Sequence, residues 1–310
     1  ADIIGDVDPI KAANAKLSFA DERVIHFGMI PRAHRCIFVI NELPDLQARI
    51  QVALFNILQE GDIQIRGFKL RMNLDIQFVF TANPEDYTNR GSIVTPLKDR
   101  IGSQILTHYP KNIAIAKKIT EQEAKINKAQ SDLVYIPNLA KDILEQISFE
   151  ARESEYIDAK SGVSARMTIS AMENLISTAE RRAIKNGLSK TAVRLSDFMG
   201  IVPAITGKIE LVYEGEQEGA EVIAIHLIEK AIHSLFKLQF PKISKIEKQN
   251  ERNAYSDLLD WFIAEGGIEL YEDFDEKQYK KVLDEVKPLE ALVKKYAPDT
   301  NKASNGFTSS

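Results

Sequence analysis

One carboxylate and two amides come directly after two short apolar segments of the chain. Asn41 and Glu42 follow the apolar residues 36–40, and Asn83 follows residues 76–82. A carboxylate at such a position can orient a water molecule, and an amide can hold that water because it both donates and accepts hydrogen bonds. These residue types therefore indicate a site that activates water.

The two apolar segments predict buried β-strands. Each is short and rich in β-branched or aromatic residues, and its apolar character is continuous rather than alternating. This pattern predicts strands that are buried on both faces of a parallel sheet, with Cys36 inside the first of them. α/β folds place their chemistry at the carboxyl ends of such strands. Taken singly, each segment is also typical of an ordinary core strand that ends in a turn. The surrounding motifs therefore decide between a catalytic strand end and an ordinary one.

Several features occur in an order that resembles the AAA+ ATPases, in the branch that contains the magnesium-chelatase ATPase subunit and the MoxR proteins. They are residues 5–8, residues 28–35, the two strand ends, a predicted hairpin around Arg66-Gly67, and Asp99-Arg100-Ile101. The alternating pattern of residues 60–71 predicts the hairpin. The resemblance covers roughly residues 1–210. It implies an α/β fold: the C-terminal part of an AAA+ P-loop NTPase core, with a parallel sheet and helices, followed by an all-helical lid and a small helical C-terminal region.

The resemblance implies a role for each polar residue of the core. The first strand is similar to the Walker B motif, so Glu42 would polarise the attacking water and Asn41 would occupy the position of the residue that holds Mg²⁺. Asn83 would be the sensor 1 amide. Arg100 would be an arginine finger that enters the site of a neighbouring subunit, which implies a ring oligomer. The implied cofactors are ATP and Mg²⁺.

One expected motif does not occur in the sequence. A P-loop requires Gly-x-x-x-x-Gly-Lys-Ser/Thr, and the only Gly-Lys pair, Gly207-Lys208, is followed by Ile209 and predicts a turn. Since the family places its P-loop before the segment that resembles residues 5–8, we expect the chain to begin inside the ATPase domain. On this interpretation the sequence is a fragment, the P-loop lies upstream of Ala1, and this chain alone does not hold ATP.

Asn41 is a second departure from the family pattern, which usually has an aspartate at this position. A neutral amide oxygen is a weaker partner for Mg²⁺ than a carboxylate. Either Mg²⁺ binding is weakened or other groups carry it. Because Glu42 is retained, the sequence favours a working or slow ATPase. The alternative is a catalytically inactive binding or regulatory protein derived from an AAA+ fold, which Asn41 and the missing P-loop favour.

Amphipathic helices replace strands after residue 135. Pro137 suits the first turn of one helix, and a second helix begins near Arg166. The resemblance implies that this region is the lid and that Arg166 is the sensor 2 residue, which reaches the γ-phosphate. The alternative is a solvated arginine at a helix end, since the same helix carries Arg181 and Arg182, which we expect at the surface. Ser196 is predicted to cap a further helix.

The sequence predicts three regions: the AAA+ core at 1–134, the lid with sensor 2 at 135–241, and a helical extension with a loose tail at 242–310. The extension should contain a helix at 254–265, with the only tryptophan, Trp261, and another at 276–294. The apolar face of such a small appendage could bind a partner, but packing on its own protein is the more common outcome.

Composition limits the possible partners. The chain has 310 residues, 44% of them hydrophobic, and a net charge of −5 with both signs mixed, which argues against a broad nucleic-acid surface. A single cysteine, Cys36, excludes an internal disulfide and favours a reducing cytoplasm. His226 and His233 lie seven residues apart, which does not suit a metal pair, and we expect them in the core or at its rim. No apolar run of about 18 residues predicts a membrane span.

The branch suggests a client for the predicted motor. Its members remodel partner proteins or assist metal or cofactor insertion, so we expect a client protein or a chelatase-type partner besides the ring itself. A sigma-54 transcriptional activator is a rival within AAA+, but its Gly-Ala-Phe-Thr-Gly-Ala loop does not occur in the sequence. A related DNA helicase would carry basic hairpin tips, and Arg66, Lys69 and Arg71 leave that reading open.

Overall fold

The structure is a computed structural model that describes residues 3–18, 21–65, 68, 71–83, 93–159, 161–242, 252–271 and 274–297. The chain forms two compact units, Ala1–Thr107 and His108–Ser310. Residues 108–134, which the sequence analysis placed with the core, therefore lie in the second unit. The functional division at residues 134 and 241 stays a prediction.

The first unit combines short strands with helices. Its elements are β1 (Gly5–Val7), α1 (Pro9–Ala15), a 3₁₀ turn (Glu22–Val24), β2 (Ile25–Phe27), α2 (Met29–Arg32), β3 (Ile37–Ile40), a 3₁₀ turn (Leu43–Asp45), α3 (Ala48–Glu60), β4 (Asp62–Gln64), β5 (Arg71–Asn73), β6 (Gln77–Phe80) and α4 (Thr95–Asp99). Asp8 caps α1 by accepting hydrogen bonds from the N–H groups of Ile10 and Lys11.

The two upstream segments singled out by sequence, residues 5–8 and 28–35, pack against each other. β1 and β2 are antiparallel, with Gly5 opposite Phe27, and the N–H of Gly28 donates to the carbonyl of Ile4 at 3.1 Å. A Cβ on Gly28 would lie 2.5 Å from the carbonyl group of Ile3. Glycine is therefore required at position 28 by the close approach of two backbones.

The pairing of β3 with β6 confirms the predicted parallel sheet at this point. Ile37 lies opposite Gln77 and Ile40 opposite Phe80. The prediction that these strands are buried on both faces is wrong for the described structure, because Ile37 is 68% exposed and Val39 is 55% exposed. The core packs only on the other face, which carries Phe38, Ile40, Phe78 and Phe80. Cys36 precedes β3 and is exposed, contrary to prediction.

The predicted hairpin is present in the chain segment that connects β3 to β6. β4 and β5 pair antiparallel, with Asp62 opposite Asn73 and Gln64 opposite Arg71. The predicted turn, Arg66-Gly67, and Lys69 lie outside the described residues. Arg71 forms an ion pair with Asp62 at 3.3 Å, so this basic residue is engaged within the hairpin.

The second unit is mainly helical. Its elements are α5 (Ile113–Glu123), α6 (Lys128–Leu133), β7 (Val134–Tyr135), α7 (Asn138–Arg152), α8 (Arg166–Lys185), β8 (Thr191–Ala192), a 3₁₀ helix (Leu195–Ile201), α9 (Val202–Thr206), α10 (Tyr213–Glu218), α11 (Ala220–Gln239), α12 (Ser256–Glu265), α13 (Glu276–Glu285) and α14 (Lys287–Tyr296). β7 and β8 form a short parallel pair. Gly207-Lys208 forms the predicted turn after α9.

The helices α7, α8 and α11 enclose one large hydrophobic core. Leu144, Ile147, Leu175 and Ile176 are fully buried there, which confirms the amphipathic pattern read from the sequence. His226 and His233 are exposed on α11, so the expectation that they belong to the core or its rim is wrong. Among the described residues, no group of three or more His, Cys, Asp or Glu side chains is placed to hold a metal ion.

Arg182 corrects a second expectation, because it is buried rather than at the surface. Its guanidinium donates to both carboxylate oxygens of Asp197, at 3.2 and 2.9 Å, and to the hydroxyl of Thr191 at 2.9 Å. Asp197 also accepts from the N–H of Arg194 at 2.7 Å and so caps the 3₁₀ helix. The predicted cap, Ser196, lies inside the first turn instead.

The helix α13 is attached to this buried cluster. The carboxylate of Glu276 lies 3.2 Å from the guanidinium of Arg194 and 3.5 Å from that of Arg182, and it accepts from the Thr191 hydroxyl at 2.7 Å. The Arg194 guanidinium lies 4.2 Å from the ring centroid of Tyr279. Burial raises the pKa of Tyr279.

The C-terminal extension departs from its predicted helix at 276–294. The structure has two helices there, α13 and α14, which meet at the buried residue Val286. Pro288 explains the break, because it has no N–H to continue the first helix but suits the first turn of the second. The helix at 254–265 is present as α12. The predicted tail, 301–310, lies outside the described residues.

Within the described ranges, none of the helices combines enough length with enough apolar character to cross a lipid bilayer.

Candidate active site

The carboxyl ends of β3 and β6 bring Asn41, Glu42 and Thr81 together. The Thr81 hydroxyl accepts a hydrogen bond from the Glu42 N–H at 3.1 Å and donates to Oδ1 of Asn41 at 3.3 Å. The Thr81 N–H donates to the carbonyl of Ile40 at 3.0 Å. Thr81 thus joins the end of one strand to the two polar residues that follow the other.

Sequence reasoning missed Thr81, although a signal was present. Once the two strands are taken as parallel, the register that pairs Ile40 with Phe80 puts Thr81 beside Asn41. Thr81 belongs to the apolar run 76–82, which predicts a strand. That pattern points to the polar side chains after the strands and not to the hydroxyl that holds them.

Glu42 has an uncommon backbone conformation. Its φ of 53° and ψ of 55° lie in the left-handed region, which non-glycine residues rarely adopt. Two hydrogen bonds to Thr81 hold it there, one from its own N–H and one from the Leu43 N–H to the Thr81 carbonyl at 2.9 Å. Leu43 is fully buried. Strained backbone of this kind is often found where a side chain must be presented for function.

The side chains of Asn41, Glu42 and Asn83 are exposed, so the site is open to solvent. No ion pair in the described part of the chain involves the Glu42 carboxylate. Asn83 follows Thr81 by two residues and lies at the same end of β6. The arrangement can present one carboxylate and two amides to a water molecule or to a ligand that lies over the strand ends.

These donors fit Mg²⁺ only in part. They provide one carboxylate, from Glu42, and one amide oxygen, from Asn41, which already accepts from Thr81. Mg²⁺ is commonly held by one or two carboxylates together with water and the phosphate oxygens of a nucleotide. The residues therefore suit an ion that is bound mainly through a nucleotide.

Arg100 ends α4 within the same unit. Its guanidinium forms an ion pair with the neighbouring Asp99 and lies 5.6 Å from the ring centroid of Phe55 on α3. Its side chain is 41% exposed. The described contacts thus leave much of this arginine accessible from outside the subunit.

Arg166 lies in the second unit, as the first residue of α8. Its side chain is exposed, and its N–H donates to Oγ of Ser164 at 3.2 Å. The flanking residues Val163 and Met167 are each only 1% exposed. The structure therefore fixes the backbone at this helix start and leaves the guanidinium free for solvent or a ligand.

The structure thus assembles part of the predicted site. Thr81 joins Asn41 and Glu42 at the end of the parallel pair, and Asn83 follows Thr81 by two residues. Arg100 is elsewhere in the first unit, and Arg166 belongs to the second. The roles assigned to all five predicted residues, Asn41, Glu42, Asn83, Arg100 and Arg166, stay predictions.

Comparison with known proteins supports an ATPase type of domain. Residues 13–103 match the profile of the Sigma-54 interaction domain, which is an AAA+ domain. The match includes the site of the first unit. Since it covers less than half of the chain, it supports an AAA+ ATPase-type domain and does not select a particular function. The search of curated proteins finds no match.

Among solved structures, the chain is similar to a candidate ATPase from Cytophaga hutchinsonii. The two are 18% identical, the alignment covers 75% of this chain and 72% of that one, and the TM-score is 0.27. A TM-score of this size does not establish a common fold, so no residue role depends on it.

Proposed function

We propose that the protein is an AAA+ ATPase of the magnesium-chelatase and MoxR type, which couples ATP hydrolysis to the remodelling of a partner protein or to metal or cofactor insertion. The observation that carries the proposal is the left-handed Glu42, held by Thr81 at the end of a parallel strand pair. A carboxylate on a strained turn, exposed and without an ion pair among the described residues, suits the polarisation of water. The AAA+ match across residues 13–103 supports the same class.

Each residue at the strand ends has one task in this proposal. Glu42 accepts a hydrogen bond from the attacking water and increases its nucleophilicity. Asn83 orients that water or the γ-phosphate through its amide. Thr81 holds the Glu42 backbone, and Asn41 would help to hold Mg²⁺ through its amide oxygen. Mg²⁺ bound to the nucleotide would neutralise phosphate charge.

Two arginines complete the proposed site from outside this cluster. Arg100 acts on the nucleotide of a neighbouring subunit, where an arginine finger is worth about 10³ to 10⁵ in rate. Arg166 acts as sensor 2 on the γ-phosphate. The open side chain of Arg100 and the fixed backbone of Arg166 support these assignments. The proposal therefore includes a ring or another side-by-side oligomer.

A phosphate-binding loop is required, and the printed residues contain no such motif. ATP turnover by this protein therefore depends on a phosphate-binding loop other than the residues assigned above. We place the action on the client at the hairpin β4–β5, since it interrupts the chain between the two strands that form the site.

The first test is ATP turnover by the complete gene product and by the 310-residue chain, each also as Glu42→Gln. We expect a loss of about 100-fold or more in the Glu42→Gln variant of the form that hydrolyses ATP, because an amide cannot polarise water as a carboxylate does. Asp45→Asn is the matched control, since Asp45 is an exposed carboxylate of the same turn. No ATP binding or turnover in the complete protein would instead establish an inactive AAA+-derived binding protein.

A mixing experiment tests the arginine finger. Glu42→Gln and Arg100→Ala should each be inactive alone. If Arg100 acts in the neighbouring site, a mixture regains turnover, because mixed rings contain sites with an intact Glu42 and a neighbour with an intact Arg100. Unchanged inactivity after verified subunit exchange would remove the finger assignment.

The family match favours a second candidate, a sigma-54-dependent transcriptional activator. The absence of a Gly-Ala-Phe-Thr-Gly-Ala string from the printed sequence counts against it. Purified sigma-54 factor is the test partner. ATP-dependent binding to the complete gene product, lost when residues 62–73 are replaced by a short loop, would establish this candidate over a chelatase-type client.

A further inference from the structure

Tyr109 lies at the start of the second unit and reaches the loop that precedes α8. Its phenolic oxygen accepts a hydrogen bond from the Val163 N–H at 3.1 Å. A Cβ on Gly162 would lie 2.5 Å from the same oxygen, and Gly162 has a φ of +67°. The loop therefore has a glycine where the backbone is left-handed and where the tyrosine hydroxyl comes close.

The tyrosine ring also contacts Arg152, the last residue of α7. The guanidinium of Arg152 lies 4.1 Å from the centroid of the Tyr109 ring and 5.1 Å from that of Phe149. A cation over an aromatic face at this distance is attracted by the ring quadrupole. Because Arg152 ends a helix of the main core, Tyr109 connects that helix to residues 162 and 163.

The loop held by Tyr109 leads directly to Arg166. Val163 and Met167 are both buried in the core and bracket the exposed arginine. Ser164 accepts from Arg166 through its hydroxyl at 3.2 Å and from Met167 through its carbonyl at 2.9 Å. A displacement of the Val163 backbone would therefore move the first turn of α8 and the guanidinium it carries.

We infer that Tyr109 is a positioning residue for Arg166. It acts through the Val163 N–H and through its close packing on Gly162, and it does not itself contact nucleotide. Tyr109 also follows Thr107, the last residue of the first unit, by only two positions. This inference rests on the proposed function, in which Arg166 senses the γ-phosphate.

The test is a double-mutant cycle on ATP turnover by the complete gene product, with Tyr109→Phe, Arg166→Ala and the double variant. Tyr109→Phe keeps the ring over Arg152 and removes only the acceptor of the Val163 N–H. We expect a loss of about fivefold in kcat/KM, as for one buried hydrogen bond. Arg166→Ala should lose more, and adding Tyr109→Phe to it should change turnover by less than about twofold, since residues that act through one group are not additive.

Two further measurements separate positioning from general damage. Hydrogen exchange should become faster in residues 161–167 of Tyr109→Phe, while unfolding monitored by Trp261 fluorescence stays close to that of the parent protein. Tyr213→Phe is the matched control, because Tyr213 is 70% exposed on α10. It should change neither turnover nor exchange.

The outcomes distinguish this inference from the proposed function. Full additivity of Tyr109→Phe and Arg166→Ala, in a protein that hydrolyses ATP, would overturn the positioning role and leave the ATPase proposal intact. Unchanged exchange in residues 161–167 would overturn it as well. Absence of turnover in the unsubstituted protein would overturn the proposed function, and this inference with it.

Discussion

Two regions of the molecule bring polar groups together, and they do so in opposite ways. At the ends of β3 and β6, Glu42 and Asn41 are exposed. Thr81 accepts hydrogen bonds from the Glu42 and Leu43 N–H groups and donates one to the Asn41 side chain. In the second unit, Arg182 is 7% exposed and Asp197 only 3%, and each makes several hydrogen bonds to the other and to neighbouring groups.

The difference separates the proposed site from a cluster that stabilises the fold. A buried charge must be paired, and the groups of Arg182 and Asp197 are occupied by each other and by neighbouring groups. Glu42 instead combines an open carboxylate with a backbone conformation that costs free energy. Substitutions in the first region should therefore affect turnover, and substitutions in the second should affect stability.

Removal of Arg182 should have the largest effect on stability. Arg182→Ala leaves Asp197 buried without its partner and should cost about 3 to 5 kcal/mol of the free energy of unfolding. Urea unfolding monitored by Trp261, the only tryptophan, reports on the second unit. Arg181→Ala is the control on the same helix, because Arg181 is exposed and should cost less than about 0.5 kcal/mol. Equal costs for the two arginines would contradict the distinction between the regions.

Truncation of apolar side chains should show the same contrast between the two regions, with smaller losses in the free energy of unfolding. Ile147→Ala in the core of the second unit should cost about 2 to 5 kcal/mol, whereas Val39→Ala on the exposed face of β3 should cost less than about 1 kcal/mol. Urea unfolding monitored by Trp261 fluorescence measures the cost of Ile147→Ala. The urea dependence of hydrogen exchange in peptides from β3 and β6 measures the cost of Val39→Ala. A larger cost for Val39→Ala in the complete gene product would show that this face is covered there.

Substitution of Glu276 tests how much this carboxylate contributes to the free energy of unfolding at the exposed edge of the cluster formed by Arg182, Arg194 and Asp197. Glu276→Gln removes the charge that faces Arg182 and Arg194 but keeps an acceptor for Thr191. Since its side chain is 42% exposed, solvent weakens the interaction, and the expected loss is about 1 kcal/mol. Glu285→Gln, at an exposed position of the same helix, should have no measurable effect in the same unfolding experiment. A loss as large as that of Arg182→Ala would mean that Glu276 is effectively buried.

The smallest effect concerns Glu145, a buried carboxyl on α7. Burial raises its pKa above the ordinary value of 4.5, although hydrogen bonds from Thr120 and Thr168 and the charges of Arg152 and Lys117 oppose this. A raised pKa in the folded state favours folding at low pH, and this contribution is lost as the pH rises above 4.5. Glu145→Gln should therefore gain stability relative to the parent protein as the pH increases from 4 to 7. Urea unfolding across that range measures the difference, and a constant difference would refute the assignment.

Part of this organisation was readable from residue patterns. The strand ends at Asn41 and Asn83, the hairpin, the amphipathic helices α7 and α8 and the turn at Gly207-Lys208 are local features, and their periodicity or turn chemistry is sufficient to predict them. The burial of Arg182, the exposure of Cys36 and Ile37, and the cap provided by Asp197 were not predicted. Each depends on residues that are distant in sequence or on which face of an element the core covers.

The sequence alone determined the elements whose patterns are local, such as the hairpin, α7, α8 and α12, because hydrophobic periodicity, proline and glycine act over a few neighbouring positions. It also indicated the residue types that suit chemistry on water. Only the tertiary structure decided that Thr81 holds Glu42, that Arg182 is buried against Asp197, and that Tyr109 approaches Gly162. These contacts join residues that are between 15 and 53 positions apart, and hydrogen bonds and burial depend on distance in space, which a one-dimensional pattern does not contain.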